Sequence, residues 1–170
     1  MTASPTTYFE DFSVGDVYEH SRARTVTNFD NYAVTHMSLN TAQAHFNLPY
    51  SQAAPELRLQ ERIVAGPCTI GLVVGLTSQD MSENAFMDIG LTGLRLPNSV
   101  FSGDTLYARS EVLTLEQDPD RSDTGIMRYR FTGTNQDGKI VAEGERIVRL
   151  KKRKAWETRD LAAQELGAGQ

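Results

Sequence analysis

The chain has one cysteine, Cys68, in 170 residues. A lone thiol excludes an internal disulfide framework and any cysteine-built zinc cluster. Histidine is also scarce, with only His20, His36 and His45, and their spacing does not match a metal-ligand motif, so no metal is expected. Long apolar runs are missing. The longest window, IGLVVGL around Ile70–Leu76, is far too short to cross a bilayer. The start, MTASPTTYFEDF, lacks a basic segment followed by an apolar stretch, so no secretory signal is expected. A cytoplasmic protein without a membrane partner is the expectation.

Positive charge is in deficit: 17 Lys and Arg face 22 Asp and Glu, a net charge of −5. Broad nucleic-acid binding needs a basic surface to displace counterions, so a nucleic-acid partner is not expected. A local basic patch for a small anion is still compatible with that balance. The dense basic run Lys151, Lys152, Arg153, Lys154 reads as the solvated end of a strand. No glycine-rich phosphate loop of the P-loop or dinucleotide type is present.

The length suits one domain, which can bury a sizeable core without staples. Residues 1–7 read as a flexible start, 8–154 as the domain, and 155–170 as a tail with a short helix over 155–165. Gly15-Asp16 signals a turn into an extended run from Val17 to Val26. Thr27 is a good N-cap for a helix over Asn28–Met37, with Asp30 placed for a capping box. Phe29, Tyr32, Ala33 and His36 would share its inner face. LPYSQAAPELRLQ reads as a polar connector.

Pro67 suits the first turn of the next helix, which runs to Met81. Ile70, Leu72, Val73, Val74, Leu76 and Met81 point nearly all round it, the pattern of a helix buried on most sides. Gly71 and Gly75 lie one turn apart, which implies close approach by another backbone. Strands follow over Met87–Pro97, from Thr105 to Glu116, over Ile126–Thr134 and over Lys139–Leu150. Turns at Ser102-Gly103-Asp104 and Asn135-Gln136-Asp137-Gly138 separate them. One buried helix followed by long antiparallel strands gives an α+β class, with the sheet wrapped around the helix. That architecture is the hotdog fold. Its exposed sheet edges favour a homodimer or a higher homo-oligomer.

Three stretches carry a family resemblance. Ser38-Leu39-Asn40-Thr41-Ala42-Gln43-Ala44-His45 resembles the Ser-Gly-Asp-x-Asn-Pro-x-His motif of the MaoC-like dehydratases and (R)-specific enoyl-CoA hydratases. Arg62-Ile63-Val64-Ala65-Gly66 resembles the Arg-Ile-Val-His-Gly run that precedes their central helix. Val100-Phe101-Ser102-Gly103-Asp104-Thr105-Leu106 resembles their Val-x-Pro-Gly-Asp-Thr-Leu segment. There are departures: Leu39 replaces a glycine, Asn40 the catalytic aspartate, Ala42 an asparagine, Gln43 a proline and Ala65 a histidine. The Asn-Thr-Ala-Gln-x-His form is similar to mesaconyl-CoA hydratases, also described as β-methylmalyl-CoA dehydratases. The resemblance implies hydration or dehydration of an enoyl-CoA or 3-hydroxyacyl-CoA thioester. Its substrates would be branched C4–C5 dicarboxylic thioesters, with no cofactor beyond the coenzyme A the substrate carries.

Such chemistry needs a base for water, an acid for Cα and donors for the enolate oxygen. His45 can exchange a proton near neutral pH. The Gly66 amide at a helix start suits an oxyanion, and a residue without Cβ lets the substrate approach. Asn40 cannot be a base, but its amide can hold a water. Ser38 and Gln43 are candidates for substrate contacts, as are Arg58, Arg62 and Arg95 for coenzyme A phosphates. Each also has a plain alternative. His45 can be an ordinary partly buried histidine, and Gly66 only an N-cap ahead of Pro67. Ser38 can cap a turn, Gln43 can bond the loop, and the arginines can be surface residues. Cys68 reads as packing, and His20 and His36 as structural or exposed. A thioesterase usually needs a carboxylate on or near the helix, and Pro67 to Gln79 holds none. A non-catalytic acyl-CoA binder, or a subunit completed by a partner, is the remaining alternative.

Overall fold

Thr27 and Asp30 set the first helix by local chemistry. In the computed structural model, which describes residues 7–53 and 61–159, the Thr27 side chain accepts from the Asp30 N–H. The Asp30 carboxylate in turn accepts from the Thr27 N–H at 2.8 Å. Helix α1 then runs Asn28–Met37. Such a cap contributes about 1 kcal/mol. The inner face differs from expectation. Asn31 and Thr35 are the buried residues, while Phe29 and His36 are exposed. The Asn31 amide is turned inward by hydrogen bonds to distant backbone groups, and that fixes the rotation of the helix.

The extended run expected over Val17–Val26 is two short strands, β1 (Val17–Glu19) and β2 (Arg24–Thr25). Helix α2 (Leu48–Ala53) replaces the first half of the expected connector. It is nucleated by Asn47, whose side chain accepts from the Tyr50 N–H at 3.2 Å. Helix α3 covers Gly66–Met81, one residue longer at its start than expected. The long strands are β3 (Ala85–Arg95), β4 (Thr105–Gln117), β5 (Thr124–Thr134) and β6 (Ile140–Lys151). A helix occupies 153–159. Of the segment 1–7, expected to be loose, only Thr7 is among the described residues, and it is buried.

All pairings are antiparallel. The sheet runs β1-β4-β5-β6-β3, with β2 also on β4. The Asn135–Gly138 turn joins β5 to β6, with Gly138 at φ +72° closing it. Leu106, Val112, Met127, Tyr129, Phe131 and Val148 face α3 from the sheet and are fully buried. Each buried side chain of this size contributes roughly 1.5–3 kcal/mol. The hotdog architecture read from the sequence is therefore present, with α3 packed on β4, β5 and β6.

α3 is not buried on most sides, however. Cys68, Thr69, Val73, Thr77 and Met81 are buried, while Gly71 and Gly75 are exposed, with nothing described within 4 Å of where a Cβ would stand. The close approach is made from the sheet instead. A Cβ on Gly133 of β5 would run into the Val73 side chain. At the far end of α3, Arg146 holds Asp88 through two hydrogen bonds of 2.7 and 3.0 Å and also reaches the Ser82 and Tyr129 hydroxyls. Tyr129 meets Thr77 at 3.0 Å, so these buried polar groups are paired.

Candidate active site

His45 closes a short 3-10 turn, Gln43–His45, between α1 and α2. Its Nδ1 stands 3.0 Å from the Ile63 carbonyl oxygen. A carbonyl only accepts, so Nδ1 carries the proton, and in the neutral ring Nε2 is left as the basic nitrogen. The Ile63 N–H in turn donates to the Ala44 carbonyl at 3.2 Å, which ties the His45 turn to the Arg62–Ala65 segment from both sides.

Gly66 begins α3. The Ala65 carbonyl accepts from the Cys68 and Thr69 N–H groups at 2.9 and 3.1 Å, and Pro67 has no N–H to offer. In a trans peptide the carbonyl and the following N–H point in opposite directions. The Gly66 N–H is therefore directed away from the helix and is the first-turn donor available to a ligand. His45 and Gly66 line one hollow of about 120 Å³, together with Ile63, Thr69, Leu96, Asn98 and Ser99 among others. A Cβ on Gly66 would stand 2.6 Å from Leu96 Cδ1, so only glycine leaves that wall undisturbed.

The other expected residues lie elsewhere. The Asn40 side-chain oxygen accepts from the Ala42 N–H at 3.0 Å, closing its own turn. Asn40 lines a different hollow of about 270 Å³, with Thr35, His36, Leu39, Thr41 and Phe46. Leu39, where the motif has glycine, holds φ +52°, the left-handed region that favours glycine. Ser38 caps α1, its hydroxyl donating to the Val34 carbonyl at 2.7 Å. Gln43 accepts from the Asn47 side chain at 2.6 Å. Arg62 lines a third hollow of about 490 Å³ with Asn28, Leu48, Gln52, Glu61 and Ser102, donates to Asn28 and lies over the Tyr32 ring. Arg95 is exposed at the end of β3, opposite Glu143. Arg58 lies outside the described residues.

Two further groups bear on the chemistry. Burial pushes the Cys68 thiol up to about 11, which keeps it protonated and inert at neutral pH. His20 links Asp80 (2.7 Å from Nδ1) to Ser110 (2.8 Å from Nε2). This has the order of a nucleophile chain. Ser110 is only 1 % exposed, though, and a substrate carbonyl has no path to its hydroxyl. Among the described residues no group of three or more His, Cys, Asp or Glu side chains is placed to hold a metal ion. No described helix is long and apolar enough to cross a membrane.

A family model described as mesaconyl-CoA hydratase matches residues 2–166. The chain belongs to the mesaconyl-CoA hydratase family. Its sequence is 31% identical over 150 residues to the β-methylmalyl-CoA dehydratase of Chloroflexus aurantiacus, covering 88% of this chain and 42% of that one. A solved Chloroflexus aurantiacus structure described as a MaoC domain protein dehydratase superposes with a TM-score of 0.81 at 30% identity, over 90% of this chain and 42% of the other. A Mycobacterium tuberculosis protein described as a double hotdog fold superposes with a TM-score of 0.74 at 22% identity, over 89% of this chain and 46% of its own length. It shares the fold. The chain spans about two fifths of the curated mesaconyl-CoA hydratase and β-methylmalyl-CoA dehydratase relatives, between 41% and 43% of each.

Proposed function

We propose that the chain is a hydratase/dehydratase acting on an enoyl-CoA or 3-hydroxyacyl-CoA thioester, of the mesaconyl-CoA/β-methylmalyl-CoA class. The observation that carries this reading is the hollow shared by His45 and the outward Gly66 amide. The thioester oxygen would accept from the Gly66 N–H, with the positive end of α3 behind it. His45 Nε2 would take a proton from water as the oxygen attacks Cβ, then return it to Cα as the enolate collapses. One group thus moves one proton in each direction, and the reaction needs no cofactor beyond the coenzyme A of the substrate. The match to the family model described as mesaconyl-CoA hydratase supports a short branched acyl group. Thr69, Asn98 and Ser99 line the hollow, and we assign them to the side where a second carboxylate would lie.

Arg62 is our candidate for a coenzyme A phosphate, since it lies one residue before Ile63 and beside a large open hollow. We give Arg58 and the exposed Arg95 the same role. Ser38 and Gln43 act by shaping the loop that delivers His45, and Asn40 by closing it. We further propose a cytoplasmic homodimer or higher homo-oligomer. The edge strand β3, where Met87, Ile89, Leu91 and Leu94 are exposed, supports the association.

The test is loss of enoyl absorbance on purified protein with mesaconyl-CoA and crotonyl-CoA, with His45→Ala alongside. Faster turnover of mesaconyl-CoA is expected; equal rates would remove the role given to the second carboxylate. Activity surviving in His45→Ala would overturn the proposed base. A second reading, a non-catalytic acyl-CoA binder or a partner subunit, is favoured by one observation: Asn40 lines a different hollow from His45, its side-chain oxygen accepting from the Ala42 N–H. Binding of CoA esters without turnover would decide for it.

A further inference from the structure

We propose that Asn31 is a positioning residue that holds the base and the oxyanion donor of this site in one frame. The inference rests on the hydratase reading above. Asn31 is 3 % exposed, on the inner face of α1. A primary amide at such a position is costly unless its groups are bonded. Its Nδ2 donates to the His45 carbonyl at 2.7 Å and leans on the Ile63 carbonyl at 3.5 Å. Its Oδ1 accepts from the Ala65 N–H at 2.9 Å. The orientation of the amide is dictated by its partners. Two carbonyls face the end that must donate, and an N–H faces the end that must accept.

The backbone groups that Asn31 contacts are those that aim the chemistry. The His45 carbonyl belongs to the base itself. The Ile63 carbonyl is the group that holds the His45 ring by Nδ1. The Ala65 N–H lies one peptide before the Gly66 N–H, on the segment that lines the hollow. His45 and Gly66 come from separate segments, and beside the direct bonds of Ile63 to Ala44 and His45 one side chain on a third segment bonds to both. Leucine at position 31 would fill the space and make none of these bonds. Aspartate would keep the acceptor toward Ala65 and lose the donor toward His45.

A misplacement of about 1 Å at a reacting group can cost on the order of 10²-fold in rate. We therefore expect Asn31→Leu and Asn31→Asp to lower kcat by about that factor with KM little changed. The ¹⁵N spectrum of His45 should lose the single Nδ1-protonated signature in both. Thr77→Val is the control, since it removes a buried hydrogen bond to Tyr129 at the opposite end of α3. It should lower the melting temperature while leaving kcat unchanged. The inference is overturned if a folded Asn31→Leu or Asn31→Asp protein keeps the wild-type kcat and His45 signature. It is equally overturned if Thr77→Val loses kcat in the same measure. Should Asn31→Leu fail to fold, Asn31→Asp, which keeps the bond to Ala65, decides alone. Activity retained in His45→Ala would sink the hydratase reading itself. An inactive His45→Ala beside unimpaired Asn31 variants would sink only the role of Asn31.

Discussion

The His45 ring and the Ile63 carbonyl are joined by a 3.0 Å hydrogen bond that fixes which imidazole nitrogen is basic. His45→Ala removes that nitrogen and should lower kcat by about 10²–10⁴-fold. Because His45 is only half-buried, the variant should melt close to wild type. Steady-state kinetics beside a thermal melt checks both statements.

Gly66→Ala should also lose activity, for a different reason. Its Cβ meets Leu96 Cδ1, the movable tip of a half-exposed side chain, so the chain should still fold. Leu96 must then shift, and the hollow in which we place the thioester changes shape. Relief by the double variant Gly66→Ala with Leu96→Ala would show that the effect is steric.

The Cys68 thiol, raised to about 11 by burial, should resist iodoacetamide in the native protein at pH 8 and react promptly once denaturant is added. Native-state labelling at the rate of a free thiol would contradict that burial.

Acid should destabilise the fold through its paired aspartates. The Arg121 hydrogen bond holds Asp123 below the usual carboxylate range. Asp118 is also lowered: burial pushes it up, but the Thr124 hydroxyl, the Asp120 N–H and Arg149 together outweigh that push. A folded-state value below the unfolded one, near 3.9, means that the unfolded chain binds more protons in acid. The stabilisation is complete above that value and disappears as pH falls through the depressed ones. The melting temperature should be flat above about pH 5 and fall below about pH 4, with a shallower fall in Asp118→Asn.

Leu39→Asn should raise stability. Leu39 is 85 % exposed and buries little, yet it holds φ +52°. A left-handed conformation costs a leucine roughly 1–2 kcal/mol, and asparagine tolerates it better. Recovering about 1 kcal/mol would lift the melting temperature by about 2–4 °C.

The parts of the fold legible in the sequence were those set by local chemistry. The Thr27–Asp30 box placed α1, Pro67 placed α3, and the Asn135–Gly138 turn placed the last hairpin. His45 and Gly66 were legible as residue types and turned out to share a hollow. The rotation of α1 was not legible, because Asn31 is held by backbone groups at positions 45 and 65 that no local pattern contains. The trace it left was a polar pair, Asn31 and Thr35, one turn apart on the helix. Asn40 shows the converse. Its distance from His45 along the chain suggested a shared task, but a two-residue turn directs its oxygen to Ala42.

Leu39 also bears on how far this loop can be redesigned. A leucine in a glycine conformation means that residue 39 follows the loop path and does not set it. That path is held by the Ser38 cap and the Asn40 turn on either side. Position 39 is thus a free, outward-pointing handle one residue from Asn40. A dye or a crosslinker attached there would label the neighbouring hollow of Thr35, His36 and Phe46 without touching the one where His45 sits.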